Sequence, residues 1–217
     1  MTKRSDIVDG SMAATRRYGL IYTKRCGWVD LGHANGDGAR ILWNQINAET
    51  GTSSLAKPGY YIITYRQMMG NRYIKVGRYK RFEIRKGLSD AEKKSVALAI
   101  FLAVSKDFET FQGNWFFRHF TNSSFSAEDL VSDLIGFYRA VYPNKLLLQA
   151  CEPVSKDIAL KIWDTYGAVG ENKNHTVIPY LYPLPGVKFA GPMSAPLPKE
   201  LNTIVPSKQG KIFREIR

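Results

Sequence analysis

An α+β fold, with a small and mostly antiparallel sheet and several helices, is what this chain predicts. Three observations carry that reading. Short runs rich in β-branched and aromatic residues, broken by glycine turns, dominate the first eighty-five positions. Capping signatures open longer helical stretches after Leu88. A content of 44% hydrophobic and 12% aromatic residues over 217 positions suffices for one sizeable domain and leaves a second cramped.

At the N-terminus, residues 1–16 are polar and read as a flexible arm, without the apolar core of a secretory signal. Tyr18 to Tyr22 and Trp28 to Leu31 are short strands with Lys24-Arg25-Cys26-Gly27 between them as a turn or bulge. Asn35-Gly36-Asp37-Gly38 is a turn, and Ala39 to Ala48 has apolar residues at helical spacing. Tyr60 to Arg66 is a strand, and Arg72 to Val76 with Tyr79 to Arg85 continues as a hairpin or meander in which Gly77 marks a bulge or turn. Ser89-Asp90-Ala91-Glu92 is a capping box opening a helix to about Lys106. Ser126 with Asp129 opens another, which Pro143 stops at about Tyr142. A third runs from about Ser155 to Tyr166 and ends at Gly167. Repeated prolines make residues 178–217 an extended segment, so residues 17–217 form one domain.

Charge is the strongest compositional statement. Thirty-one Lys and Arg against nineteen Asp and Glu give +12, which favours an anionic partner: nucleic acid, an anionic membrane surface or the bacterial cell wall. Eight cations fall within residues 66–86, offset there only by Glu83. Arg78, Lys80 and Arg81 are the substrate-binding candidates among them. No zinc-finger, basic-zipper or RNP signature is present, so specific nucleic-acid binding is not expected. No stretch approaches the ~20 apolar residues a transmembrane helix needs. The two cysteines, Cys26 and Cys151, make no disulfide framework and no zinc spacing; their number leaves one bridge open, two reduced thiols are expected, and neither metal nor cofactor is expected.

Nucleophilic hydrolysis needs a base beside a hydroxyl or thiol. Among three histidines, His33 closes the apolar run Gly27-Trp28-Val29-Asp30-Leu31-Gly32-His33 and is placed at a strand end. Ser126, in Asn122-Ser123-Ser124-Phe125-Ser126-Ala127-Glu128-Asp129-Leu130, sits at a helix start, where the positive helix end favours the anion formed in acyl transfer. Cys26 is the rival nucleophile, with Lys24 and Arg25 expected to lower its thiol pKa. Seven residues of strand nevertheless put it about 23 Å from His33. His119, in an aromatic cluster, and His175, in a polar loop, are the other bases.

This order of parts resembles the circularly permuted papain-like hydrolases related to the NlpC cell-wall peptidases. Gly32-His33 comes early, a basic strand meander comes next, then Gly87-Leu88-Ser89-Asp90-Ala91-Glu92, Phe111-Gln112-Gly113-Asn114-Trp115, and Ser126-Ala127-Glu128 opening a helix. The resemblance spans about residues 27–142. It implies a permuted papain-like fold, His33 as base, Ser126 in the place of the family's cysteine, and Glu128 as the glutamate of its Cys-Ser-Glu-type triplet. A serine where the family has cysteine implies either a serine-using variant or a scaffold that has lost catalysis. The resemblance also implies a polar residue on the neighbouring strand orienting the histidine, with Thr64, Tyr65 and Gln67 as candidates. The expected function is a peptidoglycan amidase or endopeptidase, an antibacterial effector made without a signal peptide in the bacterial cytoplasm. A secretion-system carrier would deliver it to the periplasm of a target cell, and an immunity protein would be its partner. The alternatives are a non-catalytic cationic module that docks an anionic polymer, and a lipid acyl hydrolase.

Overall fold

The hairpin at the head of the chain forms as its sequence predicts. Leu20–Thr23 (β1) and Gly27–Asp30 (β2) pair antiparallel around the turn that Thr23 closes, its Oγ1 accepting from Cys26 N at 3.0 Å. The computed structural model describes residues 2–52, 54–70, 75–112, 128–168, 176–187 and 191–216. Its remaining elements are helix α1 (Asp37–Ala48), strands β3 (Tyr60–Gly70) and β4 (Lys75–Arg85), and helices α2 (Asp90–Gln112), α3 (Asp129–Val141), α4 (Leu147–Ala150) and α5 (Lys156–Tyr166). Strands β5 (Tyr180–Leu181), β6 (Met193–Ser194) and β7 (Phe213–Ile216) complete the chain. The fold is α+β, with two small sheets ordered β1-β2-β5-β6 and β3-β4-β7. All their pairings are antiparallel except β2 with β5. Among the described residues no helix is long and apolar enough to cross a membrane.

The chain divides into two compact units: Met1–Gly36 with Gln112–Thr203, and Asp37–Phe111 with Ile204–Arg217. The first unit's core gathers Ile7, Leu20, Tyr22, Trp28, Ala159, Ile162 and Tyr182. Trp28 stands edge-on to both Tyr22 and Trp163, with ring centroids 5.2 and 5.8 Å away. The buried Tyr22 hydroxyl donates to Tyr182 O and accepts from Tyr182 N, each at 2.7 Å, so its burial leaves no polar group orphaned.

The N-terminal segment is not a loose arm. Ile7 is fully buried and bridges Leu20, while Gly10 N donates to Val154 O at 3.1 Å. The segment is fastened to α5 at two points. Arg4 makes a bidentate pair with Asp164 at 2.6 and 2.7 Å. Asp9, held at about pKa 2 by the Ser11 hydroxyl and then by the amides of Lys156 and Ser11, sits at the head of the same helix.

In the second unit β3 and β4 alternate as half-buried strands should. Tyr61, Ile63, Phe82 and Ile84 are buried on one face; on the other Thr64 and Arg66 are exposed, while the register pair Ile62 and Glu83 is buried. Gly77 lies in register opposite Met68, so the strand runs through it without the expected bulge. The capping box at α2 is complete: Ser89 N donates to Glu92 at 2.9 Å and Glu92 N to Ser89 Oγ at 3.3 Å. The helix runs six residues past Lys106, to Gln112. Ser89→Ala removes one of these reciprocal bonds and should cost about 1 kcal/mol in a denaturant titration. The proline-rich segment also supplies a sheet strand, because β7 pairs with β4 and Arg214 reaches the buried Glu83 at 2.7 Å.

Candidate active site

Asp30 ends β2 and shapes the turn beyond it. Its Oδ1 accepts from Gly32 N at 2.6 Å and His33 N at 3.2 Å, a local carboxylate turn that competes with strand pairing. His33 therefore lies past the strand, opening a short 3-10 turn, His33–Asn35, that closes at the left-handed Gly36. This corrects the expectation of a histidine on the strand end itself.

Helix α3 holds that turn along one stripe. Ser132 Oγ accepts from Asp30 N at 3.0 Å, and Arg139 donates to Ala34 O at 2.7 Å. Between them Gly136 meets Gly36 backbone to backbone: a Cβ at Gly136 would lie 2.6 Å from His33 O and 3.1 Å from Gly36 N. Only paired glycines allow so close an approach. The contact sets His33 Nδ1 3.0 Å from Asp133 Oδ1.

A carboxylate only accepts, so Nδ1 carries the proton and Nε2 is the nitrogen left for chemistry. Partial burial pulls the His33 pKa down. The bond to Asp133, its charge, and then those of Asp129 and Asp30 outweigh that and hold it well above the ordinary 6.5. The imidazole remains 39% exposed while Asp133 is 12% exposed, which leaves the ring open to a ligand over a fixed base.

His33 lines a cavity of about 480 Å³ together with Thr2, Arg16, Asp30, Glu128 and Asp129. Glu128 is 1% exposed. One of its oxygens accepts from Thr2 Oγ1 at 2.9 Å, and the other, Oε2, is buried with no partner among the described residues. Burial pushes its pKa up against the pull of its own amide and of Thr2; Asp30 adds to the rise, and His33 opposes it. Asp6, Asp30, Glu128 and Asp129 give this cavity an acidic lining on a strongly basic chain, which suits a ligand group carrying positive charge.

Of the residues the sequence singles out, His33 and Glu128 come together here. Ser126, His119 and His175 lie outside the described residues. Cys26 does not join His33: it is buried against Cys151, Sγ to Sγ 3.2 Å. The hydrogen bond to Cys151, then burial, push its thiol pKa far up, overriding the lowering by Arg25 and Thr23. That is the reverse of an activated nucleophile.

Gln67 lies on β3 in the second unit, in register with Arg78 on β4. The group at the histidine's Nδ1 is instead Asp133, on a helix and not on a strand. Lys80 and Arg81 belong to the second unit as well, and they do not form one patch. They alternate to opposite faces of β4, and Lys80 pairs with Glu215 at 3.0 Å. The sequence did carry a signal for Asp133: Asp129, Ser132, Asp133 and Gly136 fall at the three- and four-residue spacing of one helix face.

Among the described residues no group of three His, Cys, Asp or Glu is placed to hold a metal ion. No curated protein and no solved structure matches the chain. Residues 3–156, more than two thirds of its length and the stretch that contains His33, Glu128 and Asp133, match one family, and the chain belongs to it: DUF4056, described as a protein of unknown function.

Proposed function

We propose that this protein is an acyl-transfer hydrolase, an amidase or endopeptidase, in which His33 is the general base. One observation carries the reading: His33 Nδ1 is fixed on Asp133 at 3.0 Å while its ring stands open beside a cavity. A carboxylate on one ring nitrogen orients the imidazole and stabilises its cation, leaving the other nitrogen to move a proton. Ser126, two positions ahead of Glu128 in the sequence, supplies the attacking hydroxyl. His33 Nε2 takes its proton as Oγ adds to the acyl carbon, and amides at the head of α3 hold the oxyanion. His33 then returns the proton to the leaving amine, and water resolves the ester by the same route.

The substrate class is the peptide of bacterial peptidoglycan. The resemblance to NlpC-related enzymes points to it, and the +12 charge suits an anionic wall. The cavity refines the choice. With Asp30, Glu128 and Asp129 lining the cavity against Arg16, the stretch of substrate seated beside His33 carries an ammonium group. The protein then acts in the periplasm of a target cell, carried there by a contact-dependent secretion system and countered by an immunity protein.

Mass spectrometry of peptidoglycan incubated with the protein tests this. New amine-bearing muropeptides that vanish with His33→Ala support it. An unchanged digest, with binding of the polymer retained, would support a cationic docking module instead.

A general base works unprotonated, so kcat/KM should climb with pH through the raised His33 pKa, with its rising limb above 6.5. Asp133→Asn should move that limb toward 6.5 and lower the plateau. Stability runs the other way. Folding favours the protonated ring, so its contribution is whole below 6.5 and is lost as pH rises through the folded value. The melting temperature of Asp133→Asn should fall less over that window than that of the wild type.

A further inference from the structure

We infer that Cys26 and Cys151 form a disulfide when the chain folds in an oxidising compartment, and that this bond fastens together the two stretches that build the candidate site. The two are the chain's only cysteines, 125 positions apart, and the fold brings their sulfurs to 3.2 Å. A covalent S–S bond is about 2.05 Å long, so closing it asks for roughly 1 Å of side-chain movement.

The backbone around the pair is already docked. Lys24 N donates to Glu152 O at 3.0 Å and Arg25 N to Cys151 O at 3.2 Å. The Arg25 guanidinium reaches Ala150 O at 3.1 Å, and Thr23 bridges Pro153. Cys26 directly precedes β2, which leads to Asp30 and His33. Cys151 ends α4, which comes after the helix bearing Asp129 and Asp133. The bond would therefore close a loop, residues 26–151, that contains both His33 and Asp133.

The step balances as thiol–disulfide exchange. Each thiol gives up its proton, the pair gives two electrons to a disulfide oxidant, and that oxidant leaves as two thiols. Both sulfurs are buried in the fold, Cys26 at 2% and Cys151 at 0% exposure, so exchange belongs to folding and not to the finished protein. The same burial shields the finished bond from reductants. The inference does not depend on the hydrolase reading.

The test compares the full chain exported to a bacterial periplasm with the same chain made in a reducing cytoplasm. Denatured in excess alkylating reagent, the exported chain should take no label, weigh two hydrogens less, and take two labels after reduction. Two labels before reduction, or dimers joined through either cysteine, would overturn the assignment. The oxidised wild type should also unfold roughly 5–15 °C above its reduced form. The Cys26→Ala/Cys151→Ala variant should unfold at one temperature with or without reductant. Equal midpoints for the oxidised and reduced wild type would overturn the fastening role even if the bond is found.

Discussion

His33→Ala is expected to lower kcat on cell-wall peptide by about 10⁴-fold, the scale on which losing a general base acts, with KM little changed. The fold should survive. The ring is 39% exposed and lies outside the buried clusters, so the loss is one hydrogen bond and one cation facing Asp30, Asp129 and Asp133. That is worth about 1 kcal/mol, or roughly 2–4 °C for a chain of this size. The large effect on turnover set against the small one on melting is the signature of a chemical role. A comparable fall in both would make His33 a structural histidine that merely closes the turn after Asp30.

Gly136→Ala is expected to damage both. The new Cβ would sit 2.6 Å from His33 O and 3.1 Å from Gly36 Cα, all backbone that cannot turn aside. Either α3 or the 3-10 turn must shift, costing about 1–3 kcal/mol for overpacking. Alanine's better helix propensity recovers up to about 1 kcal/mol of that. The shift also pulls Asp133 from Nδ1, and a displacement of about 1 Å at a catalytic group costs on the order of 10²-fold in rate. Gly210→Ala is the control: nothing lies within 4 Å of its Cβ, and it should be silent in both assays. If Gly136→Ala melts and turns over like the wild type, the glycine contact does not position the site.

What was legible in the sequence was local. The capping box of Ser89 and Glu92, the stop at Gly167 and the hairpin turn before Gly27 are set by neighbours within a few residues, and all three appear in the structure. What failed depended on partners far along the chain. Asp133 reaches His33 across 100 positions, through a backbone contact between two glycines that no periodicity announces. Cys26 looks activated beside Lys24 and Arg25 until the fold sets Cys151 against it. The polar N-terminal segment hides Ile7, whose burial needs Leu20 and α5 already in place. The run of cations over residues 66–86 reads as a patch in one dimension, yet strand alternation sends Lys80 and Arg81 to opposite faces.

The pairing of His33 with Asp133 can be measured without knowing the substrate, by NMR titration of the imidazoles, with His33→Ala assigning the signal among the three histidines. His33 should titrate well above 6.5 in the wild type, with its Nδ1 proton held, and should drop toward 6.5 in Asp133→Asn. A His33 signal that titrates at its ordinary value and ignores Asp133→Asn would contradict the couple on which the proposed chemistry rests.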